Sequence, residues 1–261
     1  MSDHGRMHAP GPDVADEPAP SGSIAPGQAA TAQGHRRVTS FRARRSTISD
    51  RQQAIWDERW PQLGTEARHG ESPAPLLDTD AWFGRQAPLI LEIGCGTGTS
   101  TLAMAQTEPD LDVVAVEVYR RGLAQLLSAI DRAGVTNIRL VRGDGVDVLT
   151  HMVGPDSLTG VRVFFPDPWP KARHHKRRLL QADTMALIAD RLRPGGVLHA
   201  ATDHLGYAEH IAEVGDAEPL LRRIDRDTAE LPISVARPVT KYERKALAGP
   251  IVTELLWERI P

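Results

Sequence analysis

The chain predicts an α/β fold built on a mostly parallel sheet with helices on both faces. Three observations carry this. From Pro88 onward, short apolar runs alternate with amphipathic stretches, the pattern of strands joined by crossover helices. A glycine-rich turn, Gly94-Cys95-Gly96-Thr97-Gly98, follows the first apolar run directly, as where a strand hands over to a helix at a ligand-binding edge. A composition of 41% hydrophobic and 25% charged residues over 261 positions suits a soluble chain long enough to bury a core.

The elements follow in order. Residues 1–36 are rich in Pro, Gly, Ala and Asp and carry no aromatic, so they are expected to be a disordered tail. A basic stretch, RRVTSFRARR, covers Arg36–Arg45. TISDRQQAIWDERWPQLG then predicts a helix with Ser49 or Asp50 as N-cap, an apolar side of Ile55, Trp56 and Trp60, and Pro61 as its end. PLILEIG is a buried strand and Thr99–Thr107 a helix. DVVAVEV is a strand, and YRRGLAQLLSAIDRAG a helix stopped by Gly134. NIRLVRGD is a strand, followed by a short helix near Val146–His151. VRVFFPD is a strand, RLLQADTMALIADRLRPGG a helix stopped by Pro-Gly-Gly, and VLHAATD a strand. Two apolar runs in the tail, including IVTELLWERI, predict a terminal pair of strands with antiparallel pairing.

Several function classes fall away on composition. No apolar run approaches the roughly 20 residues of a membrane span, and no apolar segment follows the N-terminus. The single cysteine, Cys95, excludes an intramolecular disulfide, which points to a cytoplasmic protein. No base is spaced to activate it, so it reads as small filler in the turn. The net charge of −3 does not mark a nucleic-acid binder; only local clustering of charge can.

The glycine rhythm is G-x-G-x-G rather than the G-x-G-x-x-G of dinucleotide turns. Glu92, at the end of its strand, would repel a pyrophosphate but suits an ammonium group, such as that of S-adenosylmethionine. Glu117 ends the next strand, where a carboxylate accepts from two ribose hydroxyls. Asp144 ends the third, within reach of an adenine amino group. Three acids on successive strand ends fit a nucleoside that lacks phosphates.

Asp167 follows the fourth strand in FFPDPWPKARHHKRR (Phe164–Arg178). Its flanking prolines stiffen the loop, and the acid beside Trp169 makes a receiver for a flat base. Trp169 itself reads equally as a stacking platform or as packing. Lys171, Arg173, Lys176, Arg177 and Arg178 would attract a phosphate backbone, in company with Arg36–Arg45. His174 and His175 lack metal-ligand spacing, so no metal is expected.

These motifs, with Ala201-Thr202-Asp203 and Thr240-Lys241-Tyr242-Glu243, resemble the bacterial tRNA (guanine-N(7)-)-methyltransferase family from about Arg44 to the C-terminus. Pro170 departs from the polar residue usual there. The resemblance implies a single Rossmann-like class I methyltransferase domain over residues 37–261: a basic arm and helix at 37–66, then a catalytic core at 88–261. Its sheet is expected to have seven strands, with an antiparallel C-terminal strand. The implied cofactor is S-adenosyl-L-methionine, on Glu92, Gly94, Gly96, Gly98, Glu117, Asp144 and Asp167. The implied substrate is tRNA, methylated at N(7) of the guanine at position 46 of the variable region. Its implied contacts are Lys171, Arg173, His174, His175, Lys176, Arg177, Arg178, Asp203, Thr240, Lys241, Tyr242 and Glu243. Asp167 is the expected catalytic residue, and the protein a monomer or homodimer without membrane or metal partners.

Overall fold

The computed structural model describes Phe41 and residues 47–227, 230–238 and 251–261. It opens with α1 (Asp50–Leu63), β1 (Gly64–Glu66), a ribbon of β2 (Arg68–His69) and β3 (Ser72–Pro73), and α2 (Thr79–Phe83). Then come β4 (Leu89–Ile93), α3 (Thr99–Thr107), β5 (Asp112–Glu117), α4 (Arg120–Ala133), β6 (Ile138–Arg142) and α5 (Gly145–Asp147). A π-turn at Val148–Met152 leads to β7 (Leu158–Phe164), and a 3-10 turn at Ala172–Arg177 leads to α6 (Ala182–Arg191). The last elements are β8 (Leu192–Thr202), α7 (Leu205–Asp216), β9 (Leu221–Arg223) and β10 (Thr253–Arg259).

Among the described residues one sheet runs in the order β1-β6-β5-β4-β7-β8-β10-β9. Pairing is parallel from β1 to β8, and β10 runs antiparallel between β8 and β9. The expected parallel sheet with antiparallel C-terminal pairing is present, with eight strands rather than seven. The extra one is β1, a three-residue edge strand too short for an alternating pattern to show. The strand order reverses between β4 and β7, the point in an open α/β sheet where ligands bind outside the carboxyl ends.

Alternation along each strand divides the core. Leu91, Ile93, Val114, Val163 and Ala200 face α6, α7 and the π-turn. Ile90, Ala115, Leu140 and Val197 face α1 and α4, with Ile233 of the C-terminal segment.

Three boundaries differ from expectation. Ser49 does cap α1, in a capping box with Gln52, but Pro61 does not end the helix. Pro61 falls within the last turn, and Gly64 closes that turn by donating to the carbonyl of Trp60. The predicted helix through Arg178–Gly196 is helical only at Ala182–Arg191. Pro194-Gly195-Gly196 belongs to the start of β8, where the register against β7 shifts. The basic arm Arg36–Arg45, Phe41 apart, and the tail 1–36 lie outside the described residues, as do Thr240, Lys241, Tyr242 and Glu243. No described helix is long and apolar enough to cross a membrane.

Candidate active site

The turn after β4 is shaped by backbone conformation. Gly94 and Gly96 have φ of 79° and 58°, the left-handed region that residues with a Cβ avoid. The N–H groups of Gly94 and Cys95 both donate to the carbonyl of Val116, at 2.8 and 3.1 Å, which folds the loop over β5. Gly98 then leads into α3. Among the described residues nothing lies within 4 Å of where a Cβ on Gly94 or Gly96 would stand, so the loop presents bare backbone to the cleft. Burial, then the charges of Glu92 and Glu117, push the Cys95 thiol well above its usual range, which disfavours the reactive thiolate.

A cleft of about 270 Å³ opens over the carboxyl ends of β4, β5, β6 and β7. Its walls include Gly94 and Gly96, Glu117, Asp144 and the run Phe164–Asp167. Glu117 accepts the N–H of Gly96 on Oε2 and that of Tyr119 on Oε1, both at 2.9 Å. Asp144 caps α5, with Oδ1 accepting from Val146 N–H at 3.0 Å. Asp167 makes no hydrogen bond or ion pair with any described residue, and it borders the cleft. Three of the four predicted strand-end acids therefore converge.

The fourth, Glu92, does not line the cleft. It is 2% exposed and lies beneath the loop on the α3 side of the sheet, where Oε1 accepts from the Thr101 hydroxyl at 2.9 Å. Oε2 is enclosed without a hydrogen-bond partner among the described residues. Burial raises its pKa, against the pull of Arg162, which is its register neighbour on β7. That orphaned oxygen next to an open glycine backbone fits a ligand with a donor group at this end. Glu117 and Asp144 add acceptors for hydroxyl and amino groups. The set suits a ligand rich in donors and without phosphates.

The proline loop is strained. Phe165 and Trp169 have φ of 52° and 42°, which for bulky residues costs about 1–3 kcal/mol each. Trp169 is 4% exposed, with Arg177 over its ring at 4.9 Å and His174 edge-on at 5.7 Å, so it packs rather than offering a face to solvent.

The basic run splits into two roles. Lys171, Arg173 and Lys176 are exposed, while His174, His175 and Arg177 are half-buried on the 3-10 turn. Arg178 departs from the expected RNA contact: it is buried, donates to the carbonyls of Pro168 at 3.0 Å and Gly206 at 3.2 Å, and stacks on Tyr207. It braces the proline loop against α7. Asp203, at the end of β8, is half-buried without a hydrogen bond among the described residues; His204 caps α7. No group of three or more potential metal ligands occurs among the described residues.

Comparison with known proteins decides the family. A family model described as "Putative methyltransferase" matches residues 86–250. A tRNA (guanine-N(7)-)-methyltransferase of Mycolicibacterium gilvum (strain PYR-GCK) is 76% identical over the whole of both chains. The chain belongs to the tRNA (guanine-N(7)-)-methyltransferase family. Another member, from Mycobacterium avium (strain 104), is 63% identical over 99% of this chain and 100% of its own. The solved structure of PH0851 shares the fold at 13% identity, with a TM-score of 0.51 over 66% of this chain and 43% of that one.

Two residues of this family member escaped the sequence reading. Phe41, within the basic stretch, lines the cleft. It is the only aromatic before Trp56, a signal that was available. Arg237 is buried against Phe164 and Phe165, and its sequence context carried no sign of that.

Proposed function

We propose that the cleft is the site at which this chain transfers a methyl group from S-adenosylmethionine to N(7) of a guanine in tRNA, with position 46 of the variable region as target. The observation that carries the site reading is the convergence of Glu117, Asp144 and Asp167, the last without a partner among the described residues, at the switch point of the sheet, beside an exposed cationic turn. The family relationship supports the substrate.

When bound, S-adenosylmethionine supplies a methyl group on a positively charged sulfur. Glu117 and Asp144 are placed to accept from ribose hydroxyls and an adenine amino group. Glu92, behind the glycine turn, supplies negative charge for the ammonium end. The acceptor nitrogen has an in-plane lone pair and no proton, so no residue has to remove one. The work left to the protein is alignment and electrostatics. Asp167 accepts from the guanine edge and offsets the positive charge that the purine gains. Such a contact requires the base to leave its tertiary stack. Lys171, Arg173 and Lys176 hold phosphates, and the protein acts in the cytoplasm with the tRNA pool.

Unmodified tRNA incubated with a labelled methyl donor, then digested to nucleosides, gives the test. A labelled 7-methylguanosine peak is expected. Its absence across several tRNAs, with label in another nucleoside or none, would overturn the reading.

A further inference from the structure

Arg237 precedes Pro238 in the C-terminal segment, yet its side chain is only 4% exposed. The guanidinium stands over the ring of Phe165 at 4.9 Å and that of Phe164 at 5.7 Å. Nη2 donates to Glu254 Oε1 on β10 at 3.2 Å. The other oxygen of Glu254 meets His199 Nε2 at 3.1 Å and Arg226 at 3.5 Å, so the carboxylate is itself held from two sides. Phe165 is one of the two residues of the proline loop in a left-handed conformation, with its N–H donating to the carbonyl of Ala201 at 2.8 Å. A large side chain keeps such a conformation only where its surroundings over-determine it. Phe164, Phe165, Pro166 and Asp167 form one wall of the cleft.

We propose that Arg237 is a positioning residue for methyl transfer. Anchored by Glu254, it clamps Phe165 in its strained conformation and thereby fixes Asp167 at the cleft wall. A planar guanidinium lies flat on a ring while its edge bonds a carboxylate; an ammonium does not do both. The clamp ties β10 and the segment before Pro238 to the wall of the cleft. It rests on the reading of the cleft as the transfer site.

Arg237→Met and Arg237→Lys, assayed in the full chain with tRNA and S-adenosylmethionine, test it. Each is expected to lower kcat roughly 10- to 100-fold, the scale of a small misplacement of a reacting group. The Kd for S-adenosylmethionine, by calorimetry, and the KM for tRNA are expected to stay near wild type. Phe165→Leu is expected to behave alike, and the double variant with Arg237→Met to lose no more than the worse single. If the Met variant does not fold, the Lys variant, which keeps charge and reach, carries the test. Wild-type kcat in the folded variants, losses that multiply in the double variant, or a loss of cofactor binding in step with activity would overturn the clamp. A wild-type protein that makes no 7-methylguanosine would overturn the site reading instead.

Discussion

Glu117 bonds the backbone N–H of Gly96 at 2.9 Å, and its second oxygen bonds that of Tyr119 at the same distance. One carboxylate thus joins the glycine turn after β4 to the start of α4. Glu117→Gln presents one acceptor and one donor where two acceptors are needed, so one N–H loses its partner. A lost hydrogen bond of this charged kind is worth about 1.5–3 kcal/mol. The Kd for S-adenosylmethionine is expected to rise ~10-fold or more, measured by calorimetry.

Gly122 of α4 packs against the same turn. A Cβ there would lie 2.2 Å from the carbonyl oxygen of Gly96, and backbone has no rotamer with which to escape. Gly122→Ala is expected to cost about 1–3 kcal/mol and to weaken cofactor binding with it. Gly154→Ala, where nothing lies within 4 Å, is the control, expected within about 0.5 kcal/mol of wild type. Thermal melts and cofactor titration on both variants check this.

Asp167→Asn removes the charge at the cleft wall but keeps the shape. With no described partner to lose, the fold is expected to keep its melting temperature. The expected loss is in kcat, of order 10²–10³-fold, as for removal of one electrostatic group facing developing charge. Single-turnover kinetics distinguish this from slow product release.

The two halves of the basic run are expected to separate. Arg178→Ala removes the bonds to the carbonyls of Pro168 and Gly206, and is expected to cost about 1.5–3 kcal/mol in denaturant melts. Arg173→Ala and Lys176→Ala, both exposed, are expected to leave melts unchanged. They instead reduce the slope of log K against log salt for tRNA binding by about 1 each.

Acid is expected to destabilise the protein through the pair on β8 and β10. Burial lowers the pKa of His199 below its ordinary 6.5, against the pull of Glu254. The bond to His199 in turn lowers that of Glu254 below 4.5. For both groups the unfolded chain binds protons more readily, so stability rises with pH across each interval. As pH falls from about 6.5, the His199 contribution is lost first and that of Glu254 follows below 4.5. His199→Gln, an amide that still donates to Glu254, is expected to flatten the melting temperature against pH just below 6.5. An unchanged slope would place the acid sensitivity elsewhere.

The strand and helix order, the glycine turn and the acids at the strand ends were legible in the sequence because each rests on a local rule. Period-2 and helical patterns, left-handed glycines and strand ends are written within a few residues. Pro61 and Pro194-Gly195-Gly196 misled for a related reason: a proline or glycine marks an irregularity but not which element absorbs it. Three features were settled only by tertiary structure. Glu92 turns under the loop, Arg178 turns inward to α7, and Arg237 reaches Phe165 from far along the chain. An arginine in a basic run reads the same whether it faces water, a carbonyl or a ring. The sequence by itself determined the order of strands and helices and the acids at the strand ends. Only packing decided which charges border the cleft and which brace its wall, because a side chain's partner is set by which elements meet across the sheet.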